Sequence, residues 1–128
     1  MISRKHRFHG YGSLRYVYQH GKTIRGQLVS LRYLANPRRD SYRLAVVVSK
    51  KVSKSALVRN RIRRRLYEAV RVREAEIETA YDMVLTVFHE QLKDVPAKEI
   101  EQLVGSSLYQ AGIFGKSQKP EARNQKQT

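Results

Sequence analysis

Apolar residues along this chain change their spacing several times, and each change marks an element. In the segment 14–21, LRYVYQHG, Leu14, Val17 and Tyr18 follow the i, i+3, i+4 spacing of one helix face. Ser13 can cap that helix, and Gly21 can end it. From 27 to 34, QLVSLRYL, the period shortens to two, with Val29, Leu31 and Tyr33 on one side and Ser30 and Arg32 on the other. That is the pattern of a half-buried strand. The turn cluster NPRRDS (36–41) separates it from YRLAVVVS (42–49), a more deeply buried strand. The two are expected to pair as an antiparallel hairpin.

A longer helix follows in SALVRNRIRRRLYEAVR (55–71). At ~100° per residue, Val58, Ile62, Leu66 and Ala69 fall in one narrow stripe. Asn60, Arg64, Tyr67 and Arg71 lie roughly opposite, with Arg59 and Arg63 flanking one side and Arg61 and Arg65 the other. Glu74, Glu76 and Glu78 read as a solvated helix end that frays by about Thr79. Asp82 reads as a boundary residue before MVLTVF (83–88), a short apolar run suited to a central strand. Pro96 can occupy the first turn of a final helix, whose core side would carry Ile100, Leu103, Val104 and Leu108. From Gly115 no large apolar residue occurs, so residues 115–128 are expected to form a disordered basic tail. The order helix, two or three strands, helix, strand, helix predicts a single α+β domain over 1–114, one sheet covered by helices.

Charge turns this scaffold into a candidate binding protein. The 128 residues carry a formal net charge of +15, more than solubility requires and suited to a polyanion such as nucleic acid. The excess is one-sided. Residues 1–73 hold 20 Lys or Arg against Asp40 and Glu68, a formal +18, while residues 74–128 sum to −3. Cysteine is absent, which excludes disulfides, thiolate catalysis and Cys-based zinc sites. No stretch reaches the ~18–20 apolar residues of a membrane span, and MISRKHRFHGYG lacks the apolar core of a signal peptide. A cytoplasmic location without membrane partners is the expectation.

Catalytic chemistry finds little support. His6 and His9 sit in a basic, Gly-rich segment without a carboxylate beside them, and read as exposed histidines that contact RNA or stay neutral. The basic part offers no carboxylate cluster for a two-metal nuclease, and no phosphate loop or nucleophile motif occurs. Neither a catalytic residue nor a metal site is expected. Lys50, Lys51 and Lys54 precede the arginine helix, and arginine's planar fork can bond one phosphate twice. Phe8, Tyr11, Tyr16, Tyr18 and Tyr33 alternate with cations, as in proteins that stack unpaired bases. Each of these rings reads equally as core packing or base contact.

VVSKK (47–51) followed by RNRIRR (59–64) resembles the signature of the bacterial ribonuclease P protein subunit, as do Arg7-Phe8 and the helix ending at Gly21-Lys22. The resemblance implies a mixed four-stranded sheet in αβββαβα order, like domain 2 of ribosomal protein S5, with a left-handed βαβ crossover. It implies partnership with a catalytic RNA, which holds most of the magnesium and cleaves precursor tRNA to give the mature 5′ end. No obligate protein partner is implied. By position, Lys50, Lys51, Lys54, Arg59, Asn60, Arg61, Arg63 and Arg64 would meet the catalytic RNA. Arg7, Phe8, Leu14, Tyr18, Val29, Leu31 and Tyr33 would line a cleft for the single-stranded 5′ leader. Either Arg32 or Tyr33 would take the family's aromatic strand position. Leu14 stands where the family usually has Phe, and Phe88-His89 stand where Arg or Lys is usual. A ribosomal or ribosome-assembly RNA-binding protein is the main alternative, and a duplex-DNA regulator a third.

Overall fold

The strand Tyr81–Val87 contains three consecutive fully buried residues, Met83, Val84 and Leu85. A strand apolar on both faces needs neighbours on both edges and cover on both sides, and the fold meets both needs. In the computed structural model, which describes His6, Phe8 and residues 11–114, the elements run in the order α1 (Tyr11–His20), β1 (Lys22–Ile24), β2 (Val29–Ala35), β3 (Arg43–Val47), α2 (Ala56–Arg71), β4 (Tyr81–Val87) and α3 (Ala97–Gln110). The sheet order is β1-β2-β4-β3. β2 is antiparallel to β1 and β4, whereas β3 and β4 are parallel. This is the mixed four-stranded αβββαβα arrangement that the resemblance implied. The tail expected at 115–128 lies outside the described residues.

The hairpin expected from β2 and β3 does not form, because β4 inserts between them. Parallel pairing of β3 with β4 needs a long crossover, and α2 lies within that connection. β1 takes the hairpin role instead, with Lys22 opposite Tyr33. The turn into it is tight at Gly21, where a Cβ would stand 2.6 Å from the Val17 carbonyl oxygen and 2.8 Å from that of Tyr33.

α2 begins at Ser55, whose hydroxyl accepts the backbone N–H of Val58 at 3.3 Å. Its buried residues are Ile62, Leu66, Ala69 and Val70, while Val58 is only half-buried. Burial of an Ile or Leu contributes roughly 1.5–3 kcal/mol, against ~0.2–0.5 kcal/mol for each like-charged helical pair, so the stripe outweighs the arginine repulsion. The helix stops at Arg71, earlier than expected. Its acidic continuation is not a solvated end. Glu74 and Glu76 form a 3₁₀ turn in which Glu74 accepts the Tyr42 hydroxyl at 2.6 Å and Glu76 accepts two bonds from Arg73. Burial, reinforced by the bond to Glu74, pushes the Tyr42 phenol far above its ordinary value and keeps it a donor. Pro96 caps α3 from outside the helix, and Ile100, Val104 and Leu108 are buried, with Leu103 partly so.

Asp82 is a partner rather than a boundary. It lies inside β4, 3% exposed, and accepts Arg43 Nε at 2.8 Å, Arg43 Nη2 at 2.7 Å and Asn36 Nδ2 at 2.9 Å. Parallel pairing sets Arg43 directly opposite it. Asp82→Ala would leave the Arg43 guanidinium with little water and no counter-charge, at a cost of about 3–5 kcal/mol. Urea unfolding checks this, and a loss below about 1 kcal/mol would show that Arg43 is not left as a stranded charge.

Candidate nucleic-acid interface

Strand alternation divides the sheet into two unlike faces. One carries Val29, Leu31, Leu44, Val46, Met83, Leu85 and Val87 into a core shared with α2 and α3. The other carries Ser30, Arg32, Arg43, Ala45, Val47, Asp82, Val84 and Thr86, and α1 packs there against β2 and β4 with Val17 fully buried. Arg32 fixes that helix: its guanidinium donates to the carbonyls of Val17, at 3.2 Å, and Tyr18, and to Thr23 Oγ1. Cationic donors at a helix C-terminus satisfy its free carbonyls.

Three residues expected in the leader cleft therefore leave it. Val29 is 3% exposed, Leu31 is fully buried, and Tyr33 packs partly against the core with its ring edge-on to Tyr81. A shift of one residue along a strand reverses the face, and α1 lies on the side of Arg32. Of the two candidates for the strand position beside α1, Arg32 takes it. Leu14 is half-buried and Tyr18 is 41% exposed. Phe8 lies with its ring 4.8 Å from the Arg43 guanidinium; Arg7 falls outside the described residues. Unanticipated members of this face are Val47 and Thr86, both partly exposed, and Phe88, 46% exposed just past β4. Their signal was the alternation of Ala45 and Val47 against Leu44, Val46 and Val48. Ser30, Thr86 and Val47 form one row across three strands.

The loop after β3 begins at the end of that row. Lys50, Lys51 and Lys54 are exposed there on an ordered turn: Val52 N–H donates to the Ser49 carbonyl at 3.0 Å, and buried Ser53 accepts the Ser55 N–H at 3.2 Å. Arg59 donates to the Ser53 carbonyl at 3.0 Å, joining the loop to α2.

The helix arginines have separate tasks. Arg61 Nε donates to the Lys93 carbonyl at 2.8 Å, and Arg65 donates to the carbonyls of Leu92 and Val95. These two hold the segment between β4 and α3. Burial and the neighbouring charge of Arg61 hold the Arg65 guanidinium below arginine's ordinary value. Arg63 donates to Asn60 Oδ1, and Arg71 forms two bonds with Glu68, which lower the Glu68 carboxyl's pKa. Arg64 is exposed, and no hydrogen bond or ion pair joins it to another described residue. Tyr67, expected on the solvent side, packs partly against the core.

His6 is also displaced from the expected role. It is buried, its ring stacked 3.9 Å from that of Tyr42, with Nδ1 2.9 Å from the Tyr42 carbonyl oxygen. His9 lies outside the described residues. Among the described residues no three His, Asp or Glu side chains gather as a metal site requires. What the geometry offers is a fixed cationic turn and helix beside a sheet face with exposed aromatics, an arrangement for binding a phosphate chain and unpaired bases.

The family model for Ribonuclease P matches residues 2–112. The ribonuclease P protein component of Clostridium novyi (strain NT) is 37% identical over 101 residues, covering 78% of this chain and 88% of its own. That of Synechocystis is 34% identical over 101 residues, covering 77% and 78%. Among solved structures, the Staphylococcus aureus RNase P protein superposes with a TM-score of 0.75 at 24% identity, covering 86% of this chain and 98% of that one. The Thermotoga maritima protein gives 0.65 at 21% identity, covering 73% and 87%. At such identities the structures establish a shared fold.

The division among arginines has a measurable consequence. Arg65→Ala strands two carbonyls and should cost about 1–3 kcal/mol of folding stability, while Arg64→Ala should stay within about 0.5 kcal/mol of the parent. Denaturant melts compare them, and equal losses would refute the division.

Proposed function

The chain belongs to the ribonuclease P protein family, and we propose that it serves as the protein subunit of a ribonucleoprotein endoribonuclease. It holds a catalytic RNA with the lysine turn and α2, and the 5′ leader of precursor tRNA on the α1 side of the sheet. The relatives reported above are ribonuclease P proteins, which sets the ribosomal alternative aside. The observation that carries the reading is the placement of Lys50, Lys51 and Lys54, exposed on the ordered turn that follows Val47 at the end of the open row Ser30–Thr86–Val47, with exposed Arg64 on the helix into which that turn leads.

Two polyanions must approach each other before the leader can be cut. Cations between them lower that repulsion, and an ordered turn does so without first having to fold. Arg64, Lys50, Lys51 and Lys54 bind and orient RNA; Arg59, Asn60, Arg61 and Arg63 keep the surface in shape and offer their remaining N–H groups. Tyr18, Phe88 and Leu14 give leader bases an apolar surface, with Phe8 at its edge beside Arg43. In this reading magnesium belongs mainly to the RNA partner and supplies the hydrolytic chemistry there. The protein contributes no catalytic residue and works in the cytoplasm.

Purified protein should leave precursor tRNA intact alone, and should speed leader removal by the matching RNA at low magnesium. Cleavage of equal rate without the RNA would overturn the proposal. Arg64→Ala should reduce the slope of log affinity against log salt by about 0.7–1, the loss of one phosphate contact. An unchanged slope would remove Arg64 from the interface.

A further inference from the structure

Between α2 and α3 a groove of about 340 Å³ opens to solvent, within the size range of small-ligand sites. Its floor is apolar, with Ala69 from one helix and Ala97 and Ile100 from the other; its rim carries Arg61 and Arg64 together with Glu68 and Glu101. Two alanines face the gap where longer side chains would close it.

The rim cations are not equivalent. Arg61 is tied to the Lys93 carbonyl, and the adjacent Arg65 to those of Leu92 and Val95. Arg64 alone has no bond to another described residue. The same stripe of α2 starts one turn before Arg61 at Leu57, which is 81% exposed. An apolar and cationic track thus runs along the helix and ends in the groove.

We propose that this groove receives one unpaired nucleobase of the RNA partner, with Arg64 holding that nucleotide's phosphate. This rests on the reading of α2 as the RNA-binding face, and adds the class of group that it grips. A flat ring has apolar faces that can cover alanine methyls, and extruded bases are the usual target of specific RNA recognition. A free guanidinium at the mouth complements the phosphate to which the base is joined. Glu68 is already bonded twice by Arg71 and adds negative charge to the rim, while the carboxylate of Glu101 accepts hydrogen bonds only and suits the exocyclic amine of adenine or cytosine. Both carboxylates also repel a second phosphate or an acidic peptide.

Ala97→Leu tests this by filling the groove without altering any charge. Ala97 is exposed in the first turn of α3, and a melt verifies folding; Ala97→Gln is the second variant. Binding to the catalytic RNA should weaken about 10-fold, the scale of one lost base contact, with the log-salt slope unchanged. One unpaired adenine or cytosine, protected from dimethyl sulfate in the parent complex, should become reactive. Unchanged affinity and methylation in both folded variants would overturn the inference, as would a lowered slope. If Arg64→Ala lowers the slope while neither Ala97 variant has an effect, the groove is empty and the RNA-binding role of α2 stands. If no variant at either position changes binding, the reading of α2 fails as well.

Discussion

Everything on the cationic side of this molecule depends on how α2 is held. A helix with five arginines between residues 59 and 65 has no reason to persist alone, since its like charges repel and it has one acid. Its apolar stripe, Ile62, Leu66, Ala69 and Val70, ties it to the sheet and α3 with an energy that exceeds the repulsion several-fold. Arg61 and Arg65 add directional bonds to carbonyls at 92–95. Two of the repelling charges thereby become fasteners, and the helix presents Arg64 from a fixed frame.

The second constraint is strand parity. β4 is apolar on both sides, so one face supports α2 and α3 while the other accepts α1. On the α1 face the polar residues are tied down: Arg32 holds the end of α1, and Arg43 is locked to Asp82. Hydrogen bonding to Asp82 raises the Arg43 pKa further above its ordinary value, so the pair stays charged. Such a pair is poor at adding stability but fixes register, here between β3 and β4. Beyond α1 the row from Ser30 to Val47 remains open, and the loop that leaves β3 brings the lysines to its end. The two candidate RNA surfaces are adjacent because one strand ends in both.

Much of this was legible in the sequence, and the misses share a cause. The 3.6 and 2.0 periods, with the apolar runs at 42–49 and 83–88, locate every long element, and the arginine helix is readable from its apolar stripe; its cap at Ser55 is a finding of the structure. What periodicity could not give was which side of a strand meets which helix. Leu34, Ala45, Val47 and Val84 make the second face almost as apolar as the first, so the pattern alone does not show that Val29, Leu31 and Tyr33 turn toward the core and Arg32 toward α1. Asp82 looked like a boundary because its partner is 39 residues away and faces it only once β3 and β4 pair in parallel. The five arginines look equal in the sequence; their different tasks depend on carbonyls at 92–95, visible only after folding.

On the proposed function, two separate surfaces hold two different RNAs. Because the chain has no cysteine, a hydroxyl-radical probe can be tethered at a single introduced thiol, Asn60→Cys or Tyr18→Cys, in the assembled complex with catalytic RNA and precursor tRNA. The probe at 60 should cut the catalytic RNA, and the probe at 18 the 5′ leader. Cleavage of the leader from 60, or of the catalytic RNA alone from 18, would overturn this division.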